Sequence, residues 1–501
     1  MKKVALIASF VFALTSAKAQ NRNTLLQADF WKQQPNVEAV QAEIAKGNNP
    51  AQLDARAFDA TTLAINNNAP TETIKFLVAQ QGNGVGKVTH DSRIYLHWAA
   101  LRGNAELVQY LISKGSDVQT QDSHGSEPIV FAVSGGQKNV AVYDAFVKGG
   151  IDLKKKYKNG ANLLLLGIAN DADLSITNYL VSKGLSLNDV DADGNTAFDY
   201  AARSGNIEVL KNLLGKGVKP TNGSLIFMSQ GGRGSSASID AYKYLVEDLK
   251  LNPKFVNESG NVLHSIVRKP NPEEIIKYFI AKGVDVNQAD AEGITPLMNA
   301  ASGRNLAIVE LLSTKVKNIN AVNERGETAL AQAVASGSPE IVSFLIDKGA
   351  NVKAEDKSGY NLAYHLVQNY RASAGPGGAR AQEGKDEFIE KLNILKAKGL
   401  NIEAPQKDGS TLYHVAIAKG DLSLLKKLAG LKININSKNK EGLTVLHRAA
   451  LISKDDEILK YLVGLGADKA LKTEFDETAY DLAAENEFLS KKNISVNFLK
   501  N

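Results

Sequence analysis

The stretch "YLHWAALRGNAELVQYLISKGSDV", Tyr95 to Val118, sets a histidine beside a tryptophan and follows them with an apolar run. A catalytic pocket could begin this way. Yet Val445 to Asp468, "VLHRAALISKDDEILKYLVGLGAD", has nearly the same pattern. A catalytic site is usually written once, so a histidine that returns with its surroundings points to a repeated structural unit.

The spacing of glycines confirms a period. Gly125, Gly160, Gly194, Gly260, Gly293, Gly326, Gly359, Gly409 and Gly442 each precede a similar segment, and successive differences are 35, 34, 66, 33, 33, 33, 50 and 33. The 66 is two periods. The 50 is one period plus the Gly/Pro/Ala-rich stretch that starts at Arg371. A second set agrees, the Lys-Gly pairs ending at Gly115, Gly184, Gly217, Gly283, Gly349 and Gly399.

Each recurring element has a local cause. The first glycine allows a turn with positive φ. Pro128 and Pro296 suit the first turn of a helix, where a missing N–H costs nothing. Paired alanines (Ala99-Ala100, Ala201-Ala202, Ala300-Ala301, Ala449-Ala450) keep one helix thin. The next helix carries an apolar face, as in Leu107, Val108, Leu111 and Ile112, or Ile341, Val342, Leu345 and Ile346. Lysine then sits in the last turn and glycine ends the helix. One such unit cannot bury its own face, so units must stack.

On these residues the chain resembles the ankyrin repeat family. "DAEGITPLMNAASGRNLAIVELL", Asp290 to Leu312, holds Gly293, Thr295, Pro296 and Leu297 in the family's order, and the resemblance runs from Leu25 to Phe488. It implies an all-α solenoid of about thirteen or fourteen helix-turn-helix units joined by short β-hairpins. It also implies that His97, His264, His414 and His447 tie down their own turns rather than serve chemistry. A concave partner-binding surface of hairpin tips and first helices follows from the same resemblance; its tips include Gln121, Asp122, Tyr157, Asn188, Asp290, Glu324, Arg325, Lys357, Lys407 and Lys440.

The expected organisation begins with a signal peptide at 1–19. Lys2 and Lys3 precede an apolar core at Val4 to Leu14, and Ala17-Lys18-Ala19 is the cleavage site. Degenerate repeats and a cap occupy 20–90. Repeats follow at 91–356, with a Gly/Ser insertion at 230–238, and at 357–488, with a second insertion at 371–385 and a C-terminal cap. A tail covers 489–501. Export to the periplasm or beyond follows from the leader. Without cysteine, disulfides cannot contribute.

The formal net charge is +5, and removing Lys2, Lys3 and Lys18 leaves 5 − 3 = +2. That gives no electrostatic case for nucleic acid. No later stretch is apolar for long enough to enter a membrane. "DVDADGNTAFDY", Asp189 to Tyr200, begins like a calcium loop, but its twelfth position is tyrosine instead of glutamate, and it keeps the repeat's register. "LKKKYKNG", Leu153 to Gly160, reads as a solvated tip or as a contact for an acidic partner. The two insertions read as tolerated length or as flaps that order on a partner.

No catalytic constellation appears. The expected function is therefore that of a non-catalytic, monomeric scaffold in the periplasm, binding another protein without cofactor or metal. The alternatives are an immunity- or chaperone-like partner of one envelope enzyme, and a purely structural envelope protein.

Overall fold

Threonine and asparagine start most of the helices. Thr295, Thr328 and Thr444 are N-caps whose hydroxyls accept from the backbone N–H three residues on. Asn104 and Asn206 do the same for second helices through their side-chain oxygens. The glycines end what the caps begin. The six Lys-Gly glycines have φ between 82° and 95°, and the nine turn glycines lie between 68° and 83°. These values belong to the left-handed region, where a Cβ is penalised.

The result is a run of short antiparallel helix pairs. The computed structural model describes residues 23–232, 236–371 and 386–500. Within them, twenty-eight α-helices form fourteen pairs. The leader expected at 1–19 lies outside the described residues, as do 233–235 and 372–385, the centres of the two expected insertions. The described flanks leave each insertion between the first and second helix of its pair, Gly223–Gln230 with Ile239–Lys243 and Leu362–Gln368 with Glu387–Ala397. Among the described residues the hairpins are turns, some closed by isolated bridges such as Val322 with Thr328 and Glu355 with Asn361.

The chain divides into two units at Thr221 and Asn222. The first unit holds six helix pairs and the second eight. Within each, first helices stack on first helices and second on second. In the first unit Tyr95–Leu101 lies between Ala60–Asn66 and Pro128–Ser134. In the second, Ala329–Ser336 lies between Pro296–Ala301 and Leu362–Gln368. The alanine pairs sit at these joints and are fully or almost fully buried. Of the expected apolar faces, Leu107, Val108 and Leu111 are fully buried, as are Ile341, Val342 and Leu345. Ile112 and Ile346 are half-buried at the edge of theirs. No described helix is long and apolar enough to cross a membrane.

Candidate functional site

The recurring histidine lies at the third position of a first helix, five residues after the turn glycine in the best copies. His414 Nδ1 accepts from the Thr411 N–H at 3.1 Å, and Nε2 lies 3.0 Å from the Leu443 carbonyl of the next repeat. His447 repeats this with Thr444 at 3.1 Å and Leu471 at 2.9 Å. His264 uses Asn261 and Ile294, and His97 uses Ile94 and Ser126. One nitrogen must accept and the other donate, so each ring is neutral with its proton on Nε2. Burial pushes all four below the usual histidine range. A ring bonded at both nitrogens has no lone pair left for a proton in transit or a metal. What it does is cap its own helix and fasten the next turn.

One repeat does this without histidine, and another does the capping half. Asp199 Oδ2 accepts from the Thr196 N–H at 2.8 Å, and Oδ1 accepts from the Thr221 N–H at 2.9 Å. Asp481 closes the same box with Thr478 at 2.8 Å. Asp199 and Asp481 stand in the histidine's slot, a role that sequence reading missed. The signal was present as Thr-x-x-Asp, a capping box.

Six of the nine turns, those of Gly125, Gly194, Gly293, Gly326, Gly359 and Gly442, follow one plan around the glycine. Three residues before it stands an Asp or Asn whose Oδ1 accepts two backbone N–H groups of its own turn. Asp122 takes those of His124 and Ser126, Asp290 those of Glu292 and Ile294, and Asn323 those of Arg325 and Glu327. Two residues before the glycine, the N–H donates to a carbonyl of the preceding turn. In the first unit Ser123 bonds Asp91 at 2.8 Å and Ala192 bonds Asn159 at 2.9 Å. In the second, Ala291 bonds Glu258, Glu324 bonds Glu292, Lys357 bonds Arg325 and Lys440 bonds Asp408, each at 2.9 Å. Six tips are thereby tied to the tip before them.

This plan sorts the ten expected contact residues. Asp122 is buried and its other oxygen binds Arg93 Nε at 2.9 Å, so its carboxylate serves the fold. Asp290 is half-buried and held by its own turn. Tyr157 is half-buried, and its hydroxyl has no hydrogen-bond partner among the described residues. Gln121, Asn188, Glu324, Arg325, Lys357, Lys407 and Lys440 are exposed. Arg325 pairs with Glu327 at 2.8 Å. Gln121 and Asn188 belong to the first unit, the other five to the second.

The remaining clusters are structural. Asp191 spends its oxygens on Asp193 N, Asn195 N and the Tyr200 hydroxyl, at 3.0, 2.9 and 2.9 Å, so the calcium-like loop is a turn of the common plan. Among the described residues no group of three or more His, Cys, Asp or Glu is arranged to hold a metal. Buried Asp59 accepts from the Thr62 N–H at 2.8 Å, the Tyr95 hydroxyl at 2.5 Å and Lys87 Nζ at 2.7 Å. In the basic tip, Lys155 is tied to Glu127 at 2.7 Å, while Lys154, Lys156 and Lys158 are exposed.

Comparison with known proteins gives the repeats their kin. A family model described as ankyrin repeats (3 copies) matches residues 61–143, 236–356 and 379–491, well over half of the chain, and another described as ankyrin repeats (many copies) matches 168–214. Human transient receptor potential cation channel subfamily A member 1 is 28% identical over 222 residues, which is 42% of this chain and 19% of the channel. Alpha-latroinsectotoxin-Lt1a of Latrodectus tredecimguttatus is 26% identical over 333 residues, 62% of this chain and 22% of the toxin. An ankyrin repeat protein of Fowlpox virus (strain NVSL) is 28% identical over 124 residues, 25% of this chain and 84% of the viral protein. The chain thus spans about a fifth of the length of the first two relatives. The crystal structure of the ankyrin repeat domain of Bcl-3 aligns with 46% of this chain and 97% of its own, at 22% identity and a TM-score of 0.33.

Proposed function

Since the chain belongs to the ankyrin repeat family, we propose that it is a scaffold that holds another protein, without catalysis, through side chains of its turn tips. One observation carries this reading. Glu324, Lys357 and Lys440 give their backbone N–H groups to the preceding tips while their side chains stay exposed, as does that of Lys407. A partner therefore meets a fixed row of side chains, with their spacing set in advance. Preorganisation of this kind lowers the ordering cost of binding. We propose further that the protein acts as a monomer in the periplasm, released by cleavage after Ala19; the leader-like pattern at 1–19 is what supports this.

The test is capture from the periplasm by the immobilised mature protein, with the eluate identified by mass spectrometry and the bait's N-terminus sequenced after native export. Recovery of one stoichiometric protein, and a first residue of Gln20, are expected. An empty eluate counts against the scaffold, and an uncleaved Met1 against the export.

A further inference from the structure

The chain has seven histidines. Five are buried: the four that cap their turns, and His365 against Asp356. The other two, His90 and His124, stand on adjacent tips of the first unit and converge on one atom. His90 Nε2 and His124 Nε2 each lie 3.5 Å from Asp91 Oδ2.

Hydrogen bonding decides what His90 presents there. Its Nδ1 lies 2.8 Å from the Arg56 carbonyl of the preceding tip. A carbonyl only accepts, so Nδ1 carries the proton. A neutral His90 then turns the lone pair of Nε2 toward a carboxylate oxygen. The ring is also stacked on Phe58 at 4.7 Å, which holds its plane. A proton on Nε2 converts the repulsion into attraction.

Asp91 is held from its other side. Arg93 donates through one terminal nitrogen to the same Asp91 oxygen at 2.9 Å, and through Nε to Asp122 at 2.9 Å. The guanidinium is buried between the rings of Trp98 and Phe131. Two carboxylates thus face one guanidinium, which leaves one negative charge at the joint of two tips. Of the charged groups flanking this joint, Arg56 pairs with Asp54 at 3.7 Å and Lys87 with buried Asp59 at 2.7 Å. His97, whose Nε2 meets the Ser126 carbonyl of the His124 tip, is kept neutral by burial. An imidazolium at His90 or His124 is what balances the joint.

We propose that His90, Asp91 and His124 form an acid-responsive clasp, in which protonation of the two exposed-side imidazoles draws the tips of successive repeats together. His90 reaches back to the Arg56 tip. His124 comes from the tip ahead, where the Ser123 N–H already bonds the Asp91 carbonyl at 2.8 Å. Histidine changes charge in the range of pH 5 to 8, so mild acid is enough to close it. The sign is opposite to that of the capping histidines. Those rings would lose a hydrogen bond by taking a proton, whereas these two gain a counter-ion. The clasp does not depend on the scaffold reading.

The test is amide hydrogen exchange of the full mature chain, read by mass spectrometry from pH 7.5 to pH 5.5 and corrected for the intrinsic effect of pH. The Ser123 amide reports the clasp. The Ala192 amide makes the same bond, to Asn159 at 2.9 Å, in a tip without histidine and reports the unit as a whole. The ratio of protection at Ser123 to that at Ala192 should rise about threefold on acidification, and high salt should shrink the rise. Asp91→Asn suits the left-handed backbone found there, with φ 55°, and should leave the ratio flat. His90→Asn keeps a donor for the Arg56 carbonyl and removes Nε2, and His124→Gln keeps an amide that cannot titrate. Each should reduce the rise, and the two together should remove it. A flat ratio in wild type, or a rise that survives the paired histidine variant, would overturn the proposal. So would lower protection at every pH in Asp91→Asn with the rise retained, which would leave Asp91 as a support for Arg93 alone.

Discussion

At the scale of the residue, the histidines carry a pH signature. His97, His264, His414 and His447 are neutral and buried in the folded chain, with affinities for protons below the ordinary value near 6.5. Above that value neither the folded nor the unfolded chain protonates them, and they add no slope. Below it the unfolded chain binds protons that the folded chain refuses, so stability must fall with pH. The melting temperature should drop steadily from pH 6.5 to pH 5, and less steeply in His447→Ala; a flat profile would contradict the neutral, buried state of the rings. His97→Ala strands the Ile94 N–H and leaves the Ser126 carbonyl with the Asp122 N–H alone, and should cost about 1–3 kcal/mol at pH 7. Lys391 gives the opposite gain. It is buried, its Nζ bonds the Val334 carbonyl at 3.2 Å, and burial pulls its proton affinity down to about 8 despite Glu387 nearby. Between about 8 and its unfolded value near 10.5 the unfolded chain holds more protons, so the burden is full below pH 8 and fades as pH rises. Lys391→Met should therefore raise stability by about 1–3 kcal/mol at pH 7, a gain that shrinks toward pH 10 in denaturant titrations.

At the scale of the element, a repeat is a helix pair with prescribed ends, and the ends are what a sequence displays best. Glycine at a left-handed position, threonine at an N-cap and lysine before a helix-ending glycine are local demands, so their spacing revealed the period and the stacking. The terminal copies were harder, because there the backbone keeps its shape with other residues. Ser92 and Asp476 stand where glycine does elsewhere, yet have φ of 59° and 63°. Neighbouring turns hold them in a conformation that a single residue disfavours, and no local pattern marks that. Asp476→Gly removes this penalty and should stabilise the C-terminal repeat by about 1 kcal/mol, seen as slower hydrogen exchange near 473–485. The candidate contacts were legible only as positions. Register marked the tips, but whether a carboxylate faces solvent or its own turn depends on one step of sequence, as Asp122 against Gln121 illustrates. The stacking itself is tested at Leu345, fully buried between second helices. Leu345→Ala should cost about 2–5 kcal/mol, and amide exchange should quicken first around 329–350. Uniform quickening along the second unit would contradict a one-dimensional stack.

At the scale of the whole molecule, the same repeat supplies two populations of polar side chains. The histidines and the Asx residues of the turns face inward and hold neighbours together. The side chains one or two places before each turn glycine mostly face outward and are free to differ, and in the second unit they carry both signs of charge, as in Glu324 with Arg325, Lys407 with Asp408 and Lys440 with Glu441. The central claim is that binding belongs to the second population alone. It is tested most directly by comparing three baits in one capture experiment, each with its melting temperature: the mature wild type, His447→Ala, and the triple variant Lys357→Glu, Lys407→Glu, Lys440→Glu. The account predicts that His447→Ala melts lower yet retains the partner, whereas the triple variant melts as wild type does and loses it. Loss of the partner by His447→Ala at unchanged melting temperature, with the triple variant binding normally, would place function in the histidine slot and contradict the account.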